Sequence, residues 1–99
     1  MALQALTDAA VAERIAVLAA WQRRGKTIER RLRFADFRAA IAFVNRLADL
    51  AEERDHHPDI AIHYREVTLT LWTHVVDGLT ERDFALAEAI DRLVPGAGS

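Results

Sequence analysis

Apolar residues recur along this chain with two different periods, and each change of period marks an element. Thr7 and Asp8 can cap a helix whose apolar positions Val11, Ile15, Leu18 and Ala19 repeat at helical spacing, and which should end by Trp21 to Gly25. Between Lys26 and Phe34 the period becomes two. Ile28, Leu32 and Phe34 share one face, with Glu29, Arg31 and Arg33 on the other, so the segment reads as a half-buried strand interrupted on its apolar face by Arg30. A short strand near Trp21 to Arg24 could pair with 27–34 through Gly25.

Asp36 is the expected N-cap of the longest helix, with Phe37, Ala40, Ile41, Val44, Leu47, Ala48 and Ala51 as its apolar stripe. Beyond Pro58, Ile60, Ile62 and Tyr64 alternate with polar or small residues. After Arg65-Glu66 the alternation resumes on the other parity with Val67, Leu69 and Leu71. The phase change predicts two strands and a tight turn, although no Gly or Asn gives the usual hairpin signal. In the second strand Thr68, Thr70, Trp72 and His74 share the opposite face, so His74 should point away from the apolar layer. Thr80-Glu81-Arg82-Asp83 reads as a capping box before a last helix buried through Phe84, Ala87, Ile90, Leu93 and Val94.

Helix, strand, helix, two strands and helix make an α+β domain with helices on one face of an antiparallel sheet. One domain is expected over residues 1–99, with a folded core at 6–94 and a frayed tail at 95–99. A sheet of three or four strands has edges that another subunit can pair with, so a homo-oligomer is expected. Composition adds mainly exclusions. Cysteine is absent, which removes disulfides, zinc-thiolate sites and thiol chemistry. A net charge of -2 argues against a general nucleic-acid binder. The apolar runs are short, and no basic segment followed by an apolar run opens the chain. Neither a membrane span nor an export signal is expected, and the compartment is read as cytoplasmic.

The candidate chemistry lies between Glu52 and Asp83. All four histidines fall there, and three of them, in His56-His57-Pro58 and at His74, carry the candidate site. Histidine can give and take protons near neutrality, and Pro58 stiffens the backbone that carries the doublet. Taken singly, His56 and His57 would only cap strand and helix ends. With Glu52 and Asp55 beside them they suit acid-base chemistry on a small neutral substrate, one imidazole accepting a proton while another donates. Zinc, iron or copper ligation is the competing chemistry. Adjacent histidines on extended backbone point to opposite sides and no HExxH spacing occurs, so no metal is expected. His63 reads as a solvated strand residue. The basic cluster from Arg23 to Arg33 reads as a solvated face, offset by the acidic stretch from Asp49 to Asp59. Trp21 reads first as core, Trp72 equally as core or as a stacking platform, and Asp83 as a cap.

The ordered set Glu52, His56-His57-Pro58, Tyr64, His74 and Asp83 resembles the signature of the pterin-4a-carbinolamine dehydratases, also called 4a-hydroxytetrahydrobiopterin dehydratases. Ala20-Trp21, Ile28-Glu29-Arg30, Phe34-Ala35-Asp36-Phe37, Ala51-Glu52, Val67, Thr73-His74 and Gly78-Leu79-Thr80 extend the resemblance over roughly residues 7 to 94. It implies a four-stranded antiparallel sheet with three helices on one face, and subunits joined into homodimers or homotetramers. The implied activity is loss of water from a 4a-hydroxytetrahydropterin to give quinonoid dihydropterin, in tetrahydrobiopterin recycling, without metal or organic cofactor. It further implies His57, His74 and His56 as catalytic residues, with Glu52, Asp55, Trp21, Thr73 and Pro58 lining or ordering the pterin site. Trp72 and Val75-Val76-Asp77 are bulkier than usual there, which bears on substrate preference. The family also includes dimerisation partners of a transcription factor. A binding module, or a pterin-binding protein of another pathway, is therefore the alternative function.

Overall fold

The computed structural model describes residues 3–94, so the tail expected at 95–99 lies outside the described residues. In chain order the elements are α1 (Asp8–Ala16), β1 (Gln22–Arg24), β2 (Thr27–Arg33), α2 (Phe37–Arg54), β3 (Asp59–His63), β4 (Glu66–Leu71) and α3 (Glu81–Leu93). The four strands form one antiparallel sheet in the order β1-β2-β4-β3. Each helix begins at a side-chain cap. The Thr7 hydroxyl accepts from the Ala10 N–H at 3.1 Å, and the Asp36 carboxylate from that of Ala39 at 2.8 Å. At α3 the Thr80 hydroxyl accepts from the Arg82 N–H, and the Asp83 carboxylate from the Thr80 N–H.

Register decides which strand residues meet the helices. Ile28 stands opposite Leu71, Leu32 opposite Val67, and on the far side of β4 Ile60 and Ile62 oppose Leu69 and Val67. These residues share the covered face. Their central members join Val11, Phe43, Leu47, Phe84, Leu86 and Ile90 from the three helices in a single core. Arg30 lies on that face too, opposite Leu69, and is only 6% exposed. Its guanidinium is matched by the Asp91 carboxylate of α3, which also accepts the Trp21 indole N–H at 2.8 Å. A buried cation is tolerable in such a place only because an anion meets it there.

Four sequence expectations change. α1 stops at Ala16, and Leu18 and Trp21 reach the core from the turns that follow it. The buried side of α2 is Ala40, Phe43, Leu47 and Ala51, while Phe37 is 49% exposed, Ala48 is exposed, and Ile41 and Val44 are half-buried. The helix carries apolar residues around more than one face, and Phe43 is drawn inward against Phe34, ring centroids 5.1 Å apart. Tyr64 does not continue the apolar face of β3. It begins the Tyr64-Arg65 turn at φ 56 and is 64% exposed. Finally, His74 is not the last residue of a strand: β4 ends at Leu71 and His74 opens a short 3-10 turn, His74–Val76. The cause is a bridge between Thr73 and Gly78, closed by the Thr73 N–H on the Gly78 carbonyl at 2.8 Å.

Candidate active site

The last turn of α2 sets the histidine doublet. Asp55 takes the left-handed conformation, φ 50 and ψ 41; its N–H bonds the Glu52 carbonyl, and the His56 N–H reaches back to the Ala51 carbonyl at 3.2 Å. This pair of bonds terminates the helix as glycine usually does, and Asp is one of the few other residues that tolerate the conformation. From there the chain runs through His56, His57 and Pro58 into β3. Arg82 reinforces the corner by donating to the Asp55 carbonyl at 2.6 Å.

His56 turns inward. Its Nε2 lies 2.6 Å from Oδ1 of Asp83, a residue with no exposed side chain. The other carboxylate oxygen, Oδ2, accepts from the Thr80 N–H at 2.9 Å and the Thr73 hydroxyl at 2.8 Å. A carboxylate only accepts, so Nε2 of His56 must carry a proton, which leaves Nδ1 for the groove. Thr73 in turn lies 2.8 Å from the Thr80 hydroxyl, and the buried cluster has a partner for each of these polar groups. His57 turns outward, its Nε2 2.5 Å from Oε2 of Glu52, and both side chains are exposed. The same acceptor argument assigns its tautomer. Among the described residues no carboxylate bonds to His74. Its ring stacks on the indole of Trp72, centroids 4.0 Å apart and planes tilted by 38°.

These side chains line one groove of about 410 Å³, with Asp55, Pro58, Trp72, Thr73 and Arg82 also in its wall. The structure thus brings His56, His57, His74, Asp55, Thr73 and Pro58 together, and Glu52 touches the group through His57. Trp21 is elsewhere: it is buried in the core beside Asp91 and is not part of this wall. His63 and Tyr64 lie at the tip of the β3-β4 hairpin, near Arg33.

Sequence reasoning missed the second role of Asp83. A capping-box carboxylate commits one oxygen to the helix amide, and the free oxygen was the available signal. Arg82 was missed as well, because nothing local indicates that its guanidinium reaches back to the end of α2. Among the described residues no group of three or more His, Asp or Glu side chains is arranged to hold a metal ion, and no helix is long and apolar enough to cross a membrane. The groove can offer imidazole nitrogens of fixed tautomer, a guanidinium, and the apolar surfaces of Pro58, Trp72 and Val75 to a small flat molecule.

Comparison with known proteins points the same way. Residues 4–93 match the family model described as pterin 4 alpha carbinolamine dehydratase. A protein of Acidobacterium capsulatum is 52% identical over 89 residues, covering 90% of this chain and 97% of its own length. One from Thermomicrobium roseum is 49% identical over 88 residues, covering 89% and 95%. Both bear the name "putative pterin-4-alpha-carbinolamine dehydratase". Among solved structures, a transcriptional coactivator/pterin dehydratase from Brucella melitensis superposes with a TM-score of 0.85 at 34% identity, covering 90% of this chain and 97% of that one. A pterin dehydratase-like protein identified as a RuBisCO assembly factor in the alpha-carboxysome gives 0.68 at 30% identity, covering 79% and 93%.

Proposed function

Because the chain belongs to the pterin 4 alpha carbinolamine dehydratase family, we propose that it dehydrates 4a-hydroxytetrahydrobiopterin in the groove of His56, His57 and His74. In this reaction the C4a–O bond breaks as a proton reaches the leaving oxygen. The N5 proton is withdrawn, a C4a=N5 double bond forms, and water departs from a quinonoid dihydropterin. His57 and His74 act as the donor and acceptor pair, and His56 binds the pterin through the nitrogen that Asp83 leaves unoccupied. Glu52 orders His57, while Asp55, Thr73 and Pro58 shape the wall. The protein works in tetrahydrobiopterin recycling in the cytoplasm, as a homodimer or homotetramer, and needs neither metal nor organic cofactor.

The observation that carries this reading is the convergence of three imidazoles on one groove, two of them oriented by carboxylates at 2.6 and 2.5 Å. The test is a dehydration assay on synthetic 4a-hydroxytetrahydropterin. Turnover above the spontaneous rate that survives exhaustive chelation supports the reading; a rate no faster than buffer sinks it. A second reading, a binding module that assembles or activates a protein partner, draws on the likeness to the carboxysome assembly factor and to the coactivator-type structure. That module would not require intact histidines, so the same assay separates the two.

A further inference from the structure

We infer that Trp72 is a positioning residue that holds the His74 imidazole by a close, tilted ring-to-ring contact, doing for it what carboxylates do for the other two histidines. The inference rests on the proposed dehydration in that it names Trp72 as part of the machinery of that site. The three rings of the groove are anchored unequally. His56 is fixed by Asp83 at 2.6 Å and His57 by Glu52 at 2.5 Å, whereas no side-chain hydrogen bond to His74 occurs among the described residues. His74 also starts a 3-10 turn on a loop, with Val75 beside it 82% exposed, so neither strand pairing nor burial immobilises its ring. What it does have is the indole of Trp72, 4.0 Å away.

The indole is a suitable anchor because it is itself held. Trp72 is half-buried and packs against the main core, on a backbone that continues directly from β4 into the bridge between Thr73 and Gly78. An aromatic face at this distance supplies dispersion to a neutral imidazole and an additional attraction to a protonated one. It therefore serves the ring on both sides of a proton transfer without competing for either nitrogen. A carboxylate would occupy one. Both His74 nitrogens thus stay available to substrate, a freedom that His56 and His57 lack.

The stack can be read without any assay of activity. Protons above an indole face are shielded, so the His74 ring C–H resonances, assigned by their disappearance in His74→Gln, are expected upfield of those of His63. In Trp72→Leu, which keeps an apolar side chain but no aromatic face, they should return to the ordinary position. Turnover gives the second reading. Trp72→Leu should lower kcat about 10-fold, with KM changed less than about threefold, the pattern of a reacting group let slip from its place. Trp72→Phe should restore most of the loss. Unshifted His74 resonances in the wild-type protein overturn the inference whatever the kinetics, and they do so even if Trp72→Leu fails to fold. Equal kcat in wild type and Trp72→Leu overturns it as well. A protein with the upfield shift and no dehydratase activity would instead refute the proposed reaction while leaving the stack in place.

Discussion

Replacing Asp83 by Asn exchanges one carboxylate oxygen for an amide NH₂ with almost no change of shape, and the surroundings dictate which. Were the NH₂ to take the place of Oδ2, it would face the Thr80 N–H, donor against donor, in a fully buried position. The amide oxygen must therefore sit there, keeping the bonds to Thr80 and Thr73 and placing the NH₂ against Nε2 of His56. His56 can keep that bond only by moving its proton to Nδ1. The tautomer offered to the groove is thereby inverted, and a charge-assisted set of hydrogen bonds becomes a neutral one. Charge-assisted bonds contribute about 1.5–3 kcal/mol each against about 1 for neutral ones, so a net loss of roughly 2 kcal/mol is expected. For a domain of this size that is a fall in Tm of about 8–16 °C. Asp83→Ala, which strands the three donors, should cost about 3–5 kcal/mol. Imidazole ¹⁵N shifts distinguish the tautomers, and calorimetry gives the stability. If Asp83→Asn melts with the wild type, or if His56 keeps its Nε2 proton in the variant, the hydrogen-bond reasoning is wrong.

Loss of either His57 or His74 to Ala should lower kcat by about 10²- to 10⁴-fold, with the double variant losing less than the product, since in the proposed mechanism both groups serve one transition state. His63→Ala, at the exposed hairpin end, is the control and should stay within about twofold; wild-type turnover in both of the first two would remove them from the mechanism. Arg14 bonds the Glu81 carboxylate through its Nε at 2.6 Å, and this hydrogen bond holds the Glu81 carboxyl below its ordinary value and the Arg14 guanidinium above its own. A depressed carboxyl stabilises the fold above its unfolded pKa and loses that contribution as pH falls through the folded one. Glu81→Gln should therefore show a small deficit in urea unfolding at neutral pH that shrinks as the pH falls through and below the ordinary carboxylate range; a deficit independent of pH would contradict this. Sedimentation at micromolar concentration should give at least a dimer, because β3 is an open edge with Ile60 and Ile62 each more than a third exposed, and a monomeric mass would count against that.

Local rules were enough wherever the determinant was local. Thr7, Asp36 and Thr80 cap the helices named for them, and Gly25, at φ 61, turns β1 into β2, as the expected pairing of 21–24 with 27–34 through it requires. Period two located β2 and β4. It could not say that β3 lies at the edge, since that follows from β4 pairing on its other side with β2 across the length of α2. Nor could it distinguish Phe43 from Phe37 as the residue α2 buries, because both lie on apolar faces and only the rest of the core selects one. Arg30 looked like a fault in an apolar face until Asp91, distant in sequence, was found beside it. The histidines of the groove were legible as a cluster. Their differing orientation was not, for it depends on Asp83, Glu52 and Trp72, each brought to its ring by a separate part of the fold.

The carboxylate of Asp83 closes the N-terminus of α3 with one oxygen and orients His56 with the other. This ties the groove to the order in which the chain is made. A ribosome that has released the polypeptide as far as His74 has already delivered every imidazole of the groove, yet His56 still lacks the anion that sets its proton. That anion arrives only when the final helix is threaded out and docks. The docking of α3 that completes the hydrophobic layer therefore also sets the ring.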